Sequence, residues 1–193
     1  MTAKQDLPVI AFPDQAAFEK WLEAEPEGSV GLWLKIAKKE SGIPTVSYAE
    51  ALDAALCFGW IDGQKDKFDD EFWLQRFTPR KARSKWSKVN CGRAEELITA
   101  GVMRPAGLAQ IEAAKADGRW DAAYAPQKTA AVPEDLQAAL DAVPAAAEFF
   151  ATLDSKNRYA VLYRVGDAKK PETRRARIEK FVAMLAEGKK IYP

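Results

Sequence analysis

Every segment whose side chains alternate with a period of two lies within residues 7–78, and every apolar stripe beyond Thr78 repeats at helical spacing. That boundary constrains the fold more than any other feature. Residues 30–37 place Val30, Leu32, Leu34 and Ile36 on one face and Gly31, Trp33 and Lys35 on the other. Residues 71–78 oppose Trp73, Gln75 and Phe77 to Phe72, Leu74, Arg76 and Thr78. Residues 7–12 read as a first strand, and residues 60–63 as a short one leading into a turn. Helix signals sit between them. Asp14 is placed to cap a helix carrying Phe18, Trp21 and Leu22, with Pro26 and Gly28 as its stop. Ser47 and Glu50 form a capping box ahead of the stripe Tyr48, Leu52, Ala55 and Leu56, with Gly59 as the stop.

After Pro79 the pattern is helical. Ser84 is expected to cap a helix running to Ala100, with Trp86, Val89, Ala94, Leu97 and Ile98 inward and Gly101 at its end. Pro105 opens another through Ala116. Residues 118–132 are rich in Ala, Pro and polar residues without a period and read as a linker. The last helix starts at Pro171 and Glu172, carries Ile178, Phe181, Val182 and Leu185, and stops at Gly188. The expected class is α+β: a small sheet with helices packed on it, followed by a helical carboxy-terminal region. The organisation that follows is an α+β domain over 1–117, a linker over 118–133 and a helical region over 134–193.

Composition narrows the chemistry. A chain of 193 residues with net charge +1 has no overall pull on nucleic acid or membrane, so any such attraction must come from local clustering. Histidine is absent, which removes His-based triads, His-ligated zinc and the commonest general base near neutral pH. The two cysteines, Cys57 and Cys91, lie in helical patterns and read as buried thiols. Neither a metal site nor a cofactor is expected, and no glycine-rich phosphate loop, Gly-x-Ser-x-Gly or paired-cysteine pattern occurs. Residues 1–6 are polar and the apolar run over 7–12 is too short for a signal peptide. No apolar run approaches the roughly 18 residues of a membrane span. A cytoplasmic protein without a membrane partner is the expectation.

Charge clustering does occur. From Phe72 to Ala94 there are Arg76, Arg80, Lys81, Arg83, Lys85, Lys88 and Arg93, and no Asp or Glu. Arginine can grip a phosphate or carboxylate with two parallel hydrogen bonds, and a helix start nearby adds N–H groups and a favourable dipole end. Trp86 and Trp60 supply ring faces for stacking, and Thr78, Ser84 and Asn90 supply hydrogen-bonding groups. Asp62, between Trp60 and Gly63, reads either as part of an ordinary Asp-Gly turn or as a carboxylate able to orient an arginine or act as a base. The candidate binding set is therefore Trp60, Asp62, Arg76, Thr78, Arg80, Ser84, Trp86 and Asn90, while the lysines of the segment, Lys81 and Lys88 among them, read as a solvated basic face outside it. A second basic run, Lys169, Lys170, Arg174, Arg175 and Arg177, surrounds the last helix start. Most of it reads as solvated, with Lys170 and Arg174 spaced to form one patch. Trp33 and Lys35 read as a ring packed under a helix with a snorkelling lysine beside it.

Five ordered segments resemble the YdeI/OmpD-associated, or OmdA-type, family: residues 55–63 (ALCFGWIDG), 76–80 (RFTPR), 84–90 (SKWSKVN), 103–108 (MRPAGL) and 168–177 (AKKPETRRAR). The resemblance covers nearly the whole chain. It implies a role in protection against bacteriocins or cationic antimicrobial peptides, with a link to an outer-membrane porin, and transfers no catalytic residue. The residues themselves favour a binding module for a small anionic, ring-containing ligand. An enzyme with Asp62 or a lysine as base and Arg76 and Arg80 as stabilisers ranks second, and a nucleic-acid-binding surface third.

Overall fold

The computed structural model describes residues 7–25 and 28–193, and divides into two compact units, 1–123 and 124–193. The helix stop expected at Pro26 and the polar segment 1–6 lie outside the described residues.

The first unit is built on a four-stranded mixed sheet in the order β1-β2-β4-β3. Its strands are β1 (Val9–Ile10), β2 (Leu32–Ala37), β3 (Trp60–Lys67) and β4 (Phe72–Pro79). β1 runs parallel to β2, and the other pairings are antiparallel. Helix α1 (Gln15–Ala24) begins at Asp14, whose carboxylate accepts from the Ala17 amide at 2.8 Å. Helix α2 (Tyr48–Cys57) begins with the Ser47–Glu50 capping box. Both helices pack Phe18, Leu22, Ala51 and Ala54 onto the sheet face made by Leu32, Leu34, Ile36, Trp60 and Phe77. The opposite face holds a smaller cluster of Leu7, Trp33 and Leu74, so Trp33 packs against the amino-terminal segment and not under a helix as its pattern suggests. There Lys35 lies over Phe72 at 3.9 Å, the snorkelling arrangement its strand position suggests.

Helices α3 (Lys88–Thr99) and α4 (Pro105–Ala116) complete the unit around Leu56, Cys57, Trp86, Cys91, Leu97 and Ile111. The α2–α4 crossing is close. Gly59 ends α2 at φ +75°, and a Cβ on Gly107 of α4 would stand 2.4 Å from the Cys57 carbonyl oxygen. Trp120 and Ala123 join the same cluster, so the first part of the stretch read as a linker packs with this unit.

The second unit consists of α5 (Glu134–Asp141), α6 (Pro144–Thr152), α7 (Ser155–Gly166) and α8 (Pro171–Ala186) around Leu136, Leu140, Phe150, Val161, Val165, Ile178, Phe181 and Leu185. The α+β class with a helical carboxy-terminal region is thus observed. Every strand among the described residues lies before Arg80, and no described helix is long and apolar enough to cross a membrane.

The structure departs from the sequence pattern at four further places. β1 is two residues long rather than six, hemmed by Pro8 and Pro13, since proline lacks the ladder donor. Val30 lies outside β2 and is 64% exposed. β3 extends to Lys67, carried by its pairing with β4 rather than by its own polar sequence. Helix α3 starts at Lys88, not near Ser84. Ser87 is its cap, and Val89 and Ile98 face outward.

Candidate functional site

The candidate set divides into three places. Trp60 and Asp62 lie on the helix-covered side of the sheet. Trp60 is buried with its ring 5.6 Å from Trp21, edge to face, and Asp62 stands opposite Phe77 and accepts from the Tyr48 hydroxyl at 2.8 Å. Arg76 stands opposite Trp33 and Thr78 opposite Ile61, on the other side of β4 from Phe77. The period of two that made β4 legible therefore keeps Asp62 and Arg76 on different faces.

Arg80, Ser84 and Trp86 come together where β4 leaves the sheet. The Arg80 amide donates to the Gly59 carbonyl at 3.0 Å, which turns its side chain inward. Its guanidinium lies 3.5 Å from the Trp86 ring centroid and donates from Nη1 to the Lys85 carbonyl at 3.1 Å. The hydroxyl of Ser84 accepts from the Lys81 amide at 2.9 Å, and its carbonyl accepts from Arg119 Nη1 at 2.9 Å. Ser84 thus caps a turn, not a helix. Trp86 is 2% exposed, with Trp120 4.9 Å from it, so Arg80 and Trp120 occupy its surroundings and no ligand ring can stack on it. Asn90 sits in the first turn of α3, its backbone N–H donating to Ser87 Oγ at 3.1 Å. These bonds fix a loop over residues 80–87, and Lys81 and Arg83 on it, with Lys88 at the start of α3, are exposed to solvent.

A separate cleft of about 460 Å³ lies between α1, α2, α3 and residues 101–104, and none of the eight candidates lines it. Its charged groups, Glu19, Asp53, Arg93 and Arg104, are scattered through the sequence, and no local pattern announces them.

A family model described as a domain of unknown function, DUF8412, matches residues 10–110, just over half of the chain. The chain belongs to this family. A second model, described as "Bacteriocin-protection, YdeI or OmpD-Associated" (OmdA), matches residues 129–188. No curated protein and no solved structure matches the chain. The OmdA resemblance thus holds for the carboxy-terminal part, which includes 168–177. The segments 55–63, 76–80, 84–90 and 103–108 lie within the DUF8412 match, so the resemblance expected over nearly the whole chain is confined to its last third.

In the OmdA-matching segment two arginines of α8 link it to α5 and α7 at the edge of the apolar core. Arg174 grips Asp135 of α5 through Nε at 2.5 Å and Nη2 at 2.8 Å, and its Nη1 donates to the Val165 carbonyl near the end of α7. Arg177 donates to the Arg164 carbonyl, also in that last turn. Cations at a helix C-terminus satisfy carbonyls that have no intrahelical donor. Arg174 is therefore committed to its own unit and does not form a ligand patch with Lys170.

Within the DUF8412 unit both thiols are free and buried. Burial pushes Cys57 and Cys91 up to about 11. At pH 8 only about a thousandth of such a thiol is thiolate, against roughly a quarter for an ordinary one. Alkylation of the native protein at pH 8 is therefore expected to be slower by two orders of magnitude or more than after unfolding in guanidinium, measured by mass shift over time. Rapid native labelling at either position would contradict this burial. Among the described residues no group of three His, Cys, Asp or Glu side chains is placed to hold a metal.

Proposed function

We propose that the protein is a binding module that receives a small anion on the loop over residues 80–88. The observation that carries this reading is the acid-free segment 72–94, folded so that Arg80 is buried as an anchor while Lys81, Arg83 and Lys88 are exposed around it. A loop already held in place loses little freedom on binding, so its charges attract an anion at low entropic cost. Ring stacking has no support from Trp60 or Trp86, since both are packed in the core. Catalysis by Asp62 with Arg76 would need the two on one face of the sheet. A single-stranded nucleic-acid surface would need exposed rings beside the cations. The OmdA description adds protection against bacteriocins as a role for the carboxy-terminal unit. Direct capture of a cationic peptide on this loop would set like charges together.

The test is calorimetric titration of wild type and the triple variant Lys81→Ala/Arg83→Ala/Lys88→Ala with inorganic phosphate, citrate and a single-stranded oligonucleotide. Three exposed cations at a few tenths to 1 kcal/mol each predict about a tenfold weaker affinity for phosphate and citrate, with thermal stability unchanged. Equal affinity in the variant would remove the proposal. Binding confined to the oligonucleotide, falling steeply with salt, would replace it with a nucleic-acid surface.

A further inference from the structure

The cleft of about 460 Å³ in the first unit falls within the range of roughly 300–1,000 Å³ typical of small-molecule sites. Two of its four charges cancel. Arg93 holds both oxygens of Asp53, through Nε at 2.6 Å and Nη2 at 2.6 Å, and its Nη1 reaches Glu96. All three guanidinium nitrogens and both carboxylate oxygens are thereby engaged. The other two charges remain unmatched. Glu19 accepts from the Gln15 side-chain amide at 2.7 Å but belongs to no ion pair among the described residues. Arg104 lies 5.7 Å from the Phe58 ring and likewise has no carboxylate partner among them. Both line the cleft, and both act on the thiol of Cys57 in its wall, Glu19 raising its pKa and Arg104 lowering it, beneath the larger effect of burial. That thiol stays protonated at neutral pH and contributes a neutral surface. Phe58, Leu97 and Met103 supply apolar walls.

One unmatched anion, one unmatched cation and an apolar wall define the complement. A purely anionic ligand would meet Glu19 and a purely cationic one Arg104, each at a cost in like-charge contact. A small zwitterion satisfies both. We propose that this cleft binds a free α-amino acid with an apolar side chain, its ammonium group on Glu19, its carboxylate on Arg104 and its side chain against Phe58, Leu97 and Met103. This site is independent of the anion-binding loop and shares no residue with it.

The experiment titrates the full chain with L-leucine and L-phenylalanine by calorimetry and ligand-observed NMR. N-acetyl-L-leucine, which lacks the ammonium, and L-leucinamide, which lacks the carboxylate, are the paired controls. Saturable binding of at least one amino acid is expected, weakened at least about tenfold by either blocked ligand, the scale of one charge-assisted hydrogen bond. Glu19→Gln and Arg104→Gln, both outside the core, should each produce a comparable loss. Arg104→Gln should cost L-leucinamide little beyond what it has already lost. Phosphate binding at the loop should be unchanged in both variants, so the two proposals fail separately. No binding of either amino acid up to about 10 mM, or equal affinity for the blocked ligands, would overturn the inference.

Discussion

Gly107→Ala is expected to destabilise the first unit by about 3 kcal/mol, although the same exchange in an open helix interior gains roughly 1 kcal/mol. A Cβ at Gly107 would stand 2.4 Å from the Cys57 carbonyl oxygen, 2.6 Å from that of Leu56 and 2.6 Å from Met103 Sδ. The sulfur can swing away, but the two carbonyls belong to the last turn of α2 and move only with the helix. Gly59 closes the same crossing from the other side, where a Cβ would lie 2.8 Å from the Ala106 carbonyl. Gly92 is the internal control: nothing lies within 4 Å of a Cβ there, so Gly92→Ala should stabilise α3 by about 0.5–1 kcal/mol. Urea denaturation followed by tryptophan fluorescence measures both. A Gly107→Ala variant as stable as wild type would mean that α2 and α4 can part without loss.

Arg80→Ala should cost about 3 kcal/mol for a different reason. Arg80 is 6% exposed, fills space against Trp86 and supplies the donor to the Lys85 carbonyl. Truncation leaves a cavity beside a large ring and removes that donor together. Arg80→Lys keeps the charge but loses the planar stack and the fork of donors, so it should recover only part of the loss. Thermal melts give the stability, and phosphate titration of the folded fraction separates anchoring from binding. An Arg80→Ala protein that melts like wild type but no longer binds phosphate would move Arg80 from anchor to ligand contact.

The sequence made some elements legible because their determinants are local. Asp14 and the Ser47–Glu50 box cap helices with hydrogen bonds that span three residues. β4 shows its alternation because Phe77 faces the core while Arg76 and Thr78 face away. β3 was legible only as far as Gly63, since Gln64–Lys67 alternates nothing apolar and owes its strand form to β4. There Lys65 lies over Trp73 at 4.0 Å, and Gln75 Nε2 donates to the Gly63 carbonyl at 2.9 Å. The start of α3 is ambiguous in the sequence because Ser84 and Ser87 are both good caps, and only hydrogen bonds of the folded chain separate a turn cap from a helix cap. The basic cluster was visible as composition. Its partition was not, because the depth of Arg80 depends on Gly59 and Trp86. The cleft was invisible for the same reason, with Arg93 and Asp53 forty residues apart.

β3 is the last strand in the sheet order and pairs on one side only among the described residues, with β4. An unpaired row of backbone donors and acceptors is a template for association with another chain. Asp62, Lys65, Asp66 and Lys67 put alternating charge along that row, and the bulge between Asp62 and Lys65 breaks its register. The poor strand propensity that hid the second half of β3 from a reading of its sequence is thus a guard against aggregation: a strand that forms only on β4 offers little to a strand from elsewhere.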